Sequence, residues 1–211
     1  MGTTTTATTG GSTTLRELNG FDNTPASLAD AALILVDYQN TYTRGVMELD
    51  GWQPALEAAA ELLGRAREAG ATVIHVVNDG GEGTPYDIRA EIGAIHPSVA
   101  PVEGEAVVVK QVPNAFVNTD LAEHVDAAGH KDVVIAGFMT HMCVTFTAEG
   151  AFLRGNRPTV VADACATRPL RTGVAGAAGA AIVAAEQLHH SALATIGDLY
   201  GVVVGSGAEL G

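Results

Sequence analysis

Short, unbroken apolar runs recur along this chain, each about the length of a strand, and most are followed by a stretch with helical spacing. The runs are 31–36 (AALILV), 71–77 (ATVIHVV), 105–109 (EAVVV), 132–136 (DVVIA) and 158–162 (PTVVA), with a short sixth at 201–204. A continuous apolar run of this length suits a strand buried on both faces, as in a parallel sheet. The intervening stretches read as helices. Residues 52–69 place Leu56, Ala59, Leu62, Leu63 and Ala66 on one face and stop at Gly70. Residues 118–128, 141–153 and the Ala-rich 172–193 are the others, and 78–101 is a long Gly-, Pro- and Asp-rich connection. Strands alternating with helices imply one three-layer αβα domain around a six-stranded, mostly parallel sheet.

Of 211 residues, 47% are hydrophobic and 17% charged, enough for one cored domain and too apolar for a disordered chain. Residues 1–14 (MGTTTTATTGGSTT) are the exception, a polar, low-complexity segment expected to be a flexible tail ahead of a domain at 15–211. The tail lacks the basic start and apolar run of a secretory leader. Lys plus Arg is 11 and Asp plus Glu is 24, so the formal charge is 11 − 24 = −13. Such a chain repels phosphate backbones, offers no basic face to anionic lipid, and has no apolar run near the ~20 residues of a membrane span. No nucleic-acid partner and no membrane are therefore expected, and the small-molecule substrate rests on the resemblance given below. Two cysteines and no leader point to the cytoplasm.

Ligands of open parallel sheets bind beyond the carboxyl ends of the strands. Three reactive side chains stand there. Asp37 follows the first run, Lys110 follows the third, and Cys143 lies just past the fourth, where the next helix starts. Each has an ordinary alternative: a turn cap for Asp37, a solvated edge for Lys110, an inert core thiol for Cys143. Lys110 is one of two lysines in the chain and directly continues a VVV strand, which points to a buried ammonium that needs a carboxylate. The position of Cys143 at a helix N-terminus is expected to lower its thiol pKa. Cys165, in DACAT, lacks such a setting. A thiol beside a carboxylate and an ammonium has the parts of an activated nucleophile.

With these residues in hand, the chain resembles the isochorismatase-like cysteine hydrolases, which include nicotinamidases, carbamoylsarcosine amidohydrolases and related amidases. The matching stretches are LILVDYQN (33–40), VVVKQVPNAF (107–116), VVIAGFMTHMCV (133–144) and VVADACATR (160–168), and the likeness covers about 31–204. The resemblance implies a Rossmann-like six-stranded sheet and a catalytic triad of Asp37, Lys110 and Cys143. It also implies a cis peptide at Phe138–Met139 that would aim the Met139 and Cys143 amides into one oxyanion hole. The cysteine favours hydrolysis of an amide-type C–N bond, whether in an amide, a lactam or a carbamoyl group, through a thioester. The alternatives are vinyl-ether cleavage and a non-enzymatic scaffold of the same fold. A nucleotide-dependent oxidoreductase would need G-x-G-x-x-G after the first strand, where DYQNTYTRG stands instead.

Nicotinamidases hold a metal through an Asp and several histidines after the second strand. Here that region offers Asp79, Asp87 and His96 with no close histidine pair, so no catalytic metal and no cofactor are expected. The candidate substrate contacts are Gln39, Tyr42, Phe116, Thr140 and His141. The acidic loop 79–87 would suit a cationic substrate, and MTHMCV is similar to the streptothricin hydrolase subgroup. His189 and His190 are expected at a surface or an interface. The resemblance and the Ala-rich 172–193 segment together imply a homodimer or homotetramer.

Overall fold

The structure, a computed structural model, describes residues 12–173 and 181–211. Thr14, which the sequence assigns to the tail, instead caps a one-turn helix, α1 (Leu15–Leu18). Its side chain accepts from Glu17 N, and the Glu17 carboxylate accepts from Thr14 N in return.

Eight strands follow in chain order: β1 (Ala31–Val36), β2 (Thr72–Asn78), β3 (Ala106–Lys110), β4 (Asp132–Phe138), β5 (Arg157–Ala166), β6 (Leu170–Arg171), β7 (Ile182–Val183) and β8 (Val202–Val204). Six of them form one sheet in the order β3-β2-β1-β4-β5-β8, and every pairing in it is parallel. The helices are α2 (Trp52–Glu68), α3 (Leu121–Ala127), α4 (Thr145–Leu153) and α5 (Ala185–Thr195). From β1 to β3 the chain moves one way across the sheet, and from β3 to β8 it moves the other. Right-handed crossovers therefore place α2 on one face and α3, α4 and α5 on the other, the three layers the sequence implies. The core runs through the middle of the sheet: all six residues of β1 are buried, as are six of the seven in β4. Helix α2 closes one face with Ala55, Leu56, Ala59, Leu62, Leu63 and Ala66, the i, i+3, i+4 stripe its sequence shows.

Three segments differ from the sequence reading. Strand β5 runs ten residues rather than five. Its register with β4 shifts between Ile135 and Gly137, and Asp163 stands exposed in that irregular stretch, breaking the apolar pattern. Helix α5 begins at Ala185, not Thr172. Before it, β6 and β7 pair antiparallel, and residues 174–180 lie outside the described residues. The long helix on which self-association rested is thus about half as long as its composition implies. The 118–128 helix begins only at Leu121, because Asn118 takes a left-handed backbone (φ 57°) that no helix continues.

The chain reverses its direction of travel between β1 and β4, so their carboxyl ends flank the crevice where an open sheet binds ligands. Gly137, near the end of β4, lets the two strands close there: a Cβ on it would collide with the Val36 carbonyl.

Candidate active site

Asp37 is the first residue past β1. Its N–H donates to Val76 O at 2.9 Å, and its backbone is left-handed (φ 57°). Met139, the first residue past β4, is left-handed as well (φ 64°). Three non-glycine residues among those described have positive φ, and two of them flank this crevice. Such strain persists only where the surroundings enforce it, and it gathers at functional sites. After Met139 the chain makes a wide π-type turn, Thr140–Val144, that runs into α4. Cys143 sits on that turn.

The topology brings the three candidate residues together. Lys110 Nζ lies 2.7 Å from Asp37 Oδ2, with both side chains fully buried. The same ammonium lies 3.4 Å from Cys143 Sγ. Its third neighbour is Asn78 Oδ1 at 3.3 Å. Asn78 ends β2 and pairs in register with Lys110. The Lys110 ammonium and the Cys143 thiol are the groups that reach the Asp37 carboxylate.

Electrostatics sort the proton among these groups. Burial raises the Asp37 carboxyl above the usual range, and the Lys110 charge only partly opposes it. Burial alone would lower the Lys110 ammonium, but Asp37 and Cys143 together lift it above its ordinary value, so it stays charged. Burial and the Asp37 charge push the Cys143 thiol far up, while Lys110 pulls it down by less. This reverses the expectation of a lowered thiol pKa: burial and the Asp37 charge act against the helix start and favour the thiol form of Cys143. A second correction concerns the backbone. No peptide among the described residues is cis, so Phe138–Met139 is trans, and the left-handed Met139 makes the turn for which a cis bond was expected.

The substrate-contact candidates divide. Tyr42 is buried against Phe138 and Tyr86, with ring centroids 5.8 Å away in each case, and the nearby Asp37 and Cys143 add to burial in raising its hydroxyl. Thr140 and His141 lie on the cysteine's turn. Thr140 Oγ1 meets His189 Nδ1 at 3.0 Å, and His141 Nδ1 meets Thr167 Oγ1 at 2.5 Å. Burial keeps the His141 imidazole neutral, aided by the Arg168 charge. Gln39 is a correction. It is fully buried, its Nε2 donates to Asn78 O and Gly93 O, and its Oε1 accepts from Asn78 N. Its amide therefore locks the end of β2 beside the triad and has nothing left for substrate. Phe116 is half-buried with the Arg154 guanidinium 5.2 Å from its ring centroid.

The acidic loop is likewise tied to itself. Asp87 accepts from Gly83 N, Arg89 N and Arg89 Nε, and Asp79 pairs with Arg89. His96 Nδ1 accepts from Ser98 N, so Asp79, Asp87 and His96 all hold local backbone.

Three residues near these side chains escaped the sequence reading, Asn78, Tyr86 and Arg168, and His189, expected at a surface or an interface, is half-buried and bonded to Thr140. Asn78 follows the same rule as Asp37 and Lys110, a polar residue ending an apolar run. Arg168 lies just past β5, its charge acts on Tyr86 and His141, and its buried Nε has no partner among the described residues. A buried N–H without an acceptor is costly, so this one is open to a substrate oxygen. The opposite end of the sheet is chemically quieter. A cavity of about 300 Å³ there is lined by Arg16, Phe21, Asp132, Phe152 and Arg157, with Arg16 bonded to Asn23, Asp22 O and Leu199 O and no thiol nearby.

Comparison with known proteins agrees with this geometry. The isochorismatase domain model matches residues 31–192. The chain is 38% identical over 175 residues to YddQ, an isochorismatase family protein of Bacillus subtilis, covering 82% of this chain and 94% of that one. It is 35% identical to streptothricin hydrolase of Streptomyces noursei over 64% of this chain and 54% of that protein. It is 32% identical to maleamate amidohydrolase of Pseudomonas putida over 65% and 72%. Among solved structures, an isochorismatase from Pseudomonas putida KT2440 superposes with a TM-score of 0.88 at 37% identity, covering 94% of this chain and 99% of that one. With the match spanning sheet, crevice and cysteine turn alike, the chain belongs to the isochorismatase family of hydrolases.

Proposed function

We propose that this protein hydrolyses an amide-type C–N bond of a small molecule through a thioester on Cys143. The observation that carries the reading is the buried line from Asp37 to Lys110 to Cys143, 2.7 Å and 3.4 Å between successive polar atoms. Relatives named streptothricin hydrolase, maleamate amidohydrolase and ureidoacrylate amidohydrolase support amide chemistry.

The mechanism follows from where the proton sits. Asp37, its carboxyl already raised by burial, takes the Cys143 proton as substrate fills the crevice. The thiolate attacks the carbonyl carbon and an S–C bond forms. The Met139 and Cys143 amides receive the oxyanion, at the N-terminal end of the helical segment that includes α4. As the tetrahedral adduct collapses, the C–N bond breaks and Asp37 gives the proton to the leaving nitrogen. Water enters, loses a proton to the same carboxylate and attacks the thioester, releasing a carboxylic acid and restoring the thiol. Lys110 stays charged throughout and offsets the negative charge as it passes between carboxylate and sulfur. Arg168 Nε and the backbone of the Thr140–Cys143 turn are the substrate's polar contacts, and a guanidinium at that point favours an amide bearing a second carbonyl or carboxylate.

The test is ammonia or amine release across a panel of acyl amides, carbamoyl compounds and lactams, with mass spectrometry of the protein during turnover. A Cys143-bound acyl adduct and an inactive Cys143→Ala variant are the expected results. Full activity in that variant, or release of pyruvate from a vinyl ether with no amide turnover, overturns the proposal.

A further inference from the structure

The turn that carries Cys143 is gripped from two sides by threonine–histidine pairs. His141 Nδ1 meets Thr167 Oγ1 just past β5, and Thr140 Oγ1 meets His189 Nδ1 on α5. The second pair joins the catalytic turn to a helix about 50 residues further along the chain.

The place of His189 on α5 is unusual for a polar residue. The buried residues of that helix are Ala185, Ala192 and Leu193. With His189 they make the spacing i, i+4, i+7, i+8, one face of a helix. His189, half-buried, thus lies on the inward side of the helix, where an apolar residue would pack without loss. Its neighbour His190 points away, its side chain 71% exposed. An imidazole placed inward carries a desolvation penalty unless it is hydrogen-bonded, and the Thr140 hydroxyl is its bond. Burial and the adjacent His190 hold His189 below the ordinary histidine pKa, so it is neutral near pH 7. On the other side, Thr140 is fully buried and directly follows the strained Met139. A turn whose first residue is left-handed and whose amides must converge on one oxygen needs an external hold.

We propose that His189 is a positioning residue for the hydrolysis: it fixes the Thr140 hydroxyl and, through it, the Met139–Cys143 turn that receives the oxyanion. The role rests on the hydrolase reading above. It predicts that loss of the imidazole slows acylation while leaving the folded state intact, because α5 keeps its apolar anchors.

The experiment uses the full chain and 4-nitrophenyl acetate, an activated acyl donor. Acyl transfer forms the S–C bond at Cys143 and releases 4-nitrophenolate, which is read directly. His189→Leu is expected to slow acetylation of Cys143 roughly tenfold or more, with thermal midpoint little changed, since small displacements of catalytic groups have large rate effects. His189→Asn places a polar atom where Nδ1 stands and is expected to recover most of the rate. His189→Gln carries its polar end further out and is expected to remain slow. A second readout is independent of acylation: in ¹⁵N-histidine spectra, Thr140→Val should shift the His189 Nδ1 resonance and leave His190 unmoved.

Wild-type acetylation with an unaffected His189→Leu variant overturns the positioning role and leaves the hydrolase reading standing. So do equal losses in the Leu and Asn variants, or an unmoved His189 resonance. A wild-type protein that never acetylates at Cys143 overturns the hydrolase reading and this role with it.

Discussion

Strand β3 is bounded by two charge clusters, one half-buried and one fully buried, whose carboxylates are held differently. At its start, Glu105 faces Arg67, which donates through Nε at 2.7 Å and Nη2 at 2.8 Å. Glu105 also accepts from Val102 N at 3.0 Å and lies 2.9 Å from His75 Nε2. At the other end of the strand, Lys110 faces Asp37 at 2.7 Å, and only that ammonium and the Cys143 thiol reach its carboxylate. Burial opposes ionisation in both carboxylates. For Glu105 the aligned donors win and hold its pKa at about 2. For Asp37 burial wins and the pKa rises. A carboxylate with every lone pair engaged is a fixture of the fold, and one left short of donors is ready to take a proton. Deeper burial and fewer aligned donors together, rather than the presence of a cation, separate chemistry from structure here.

The largest effect expected from this contrast is on turnover. Asp37→Asn keeps the shape and removes the base, so kcat should fall by ~10²–10⁴. Glu105→Gln should leave kcat within about threefold, because Glu105 touches only Arg67, His75 and Val102. Ammonia release from the substrate identified by the amide panel measures both. Equal losses in the two variants would erase the distinction.

Stability should respond at both ends of the strand. Lys110→Met leaves Asp37 buried and unpaired and should cost about 3–5 kcal/mol in denaturant unfolding. Removing both charges, as Asp37→Asn with Lys110→Met, should restore most of that loss in an inactive protein, since a buried ion pair is often replaceable by neutral groups of similar shape. The Glu105 cluster gives a pH signature instead. Its carboxyl is lowered from 4.5 to about 2, so its contribution is present above pH 4.5 and is lost as pH falls toward 2. The full shift corresponds to about 3 kcal/mol, at 1.36 kcal/mol per pH unit. Glu105→Gln should flatten that part of the acid unfolding curve, and a curve unchanged by the substitution would show the cluster to be no more than a surface pair.

Much of this contrast is readable in the sequence, and the reason is local. An apolar run that ends in Asp37 or Lys110 marks a buried strand and places its last side chain at the binding end of a parallel sheet, so the fold and the meeting of these two side chains follow from one pattern. Asn78 obeys the same pattern. What the pattern does not carry is hydrogen-bond geometry between distant segments. Gln39 looks free to touch substrate until Asn78 and Gly93, 39 and 54 residues away, are seen to occupy its amide. Helix α5 looks twice as long as it is because alanine content measures propensity, while the pairing of Ile182–Val183 with Leu170–Arg171 just before it is a tertiary contact. The Cys143 pKa reverses because a sequence shows a helix start but not the depth of burial.

The two cysteines give the smallest expected effect and the sharpest check on whether company or burial makes a nucleophile. They are equally hidden, 7% exposed for Cys143 and 6% for Cys165, and burial holds both as thiols, Cys165 with a pKa of about 12. Cys143 has Lys110 at 3.4 Å, whereas Cys165 donates to Val161 O at 3.2 Å inside its own strand. Once a carbonyl or alkyl halide enters the crevice, only Cys143 has a base and a counter-charge within reach. Iodoacetamide should therefore modify Cys143 first, as peptide mapping will show, and Cys165→Ala should keep kcat within about twofold while costing about 1 kcal/mol for the lost sulfur contacts. If Cys165 reacted at the same rate, access rather than the charged pair would control reactivity, and Asp37 would lose its standing as the base.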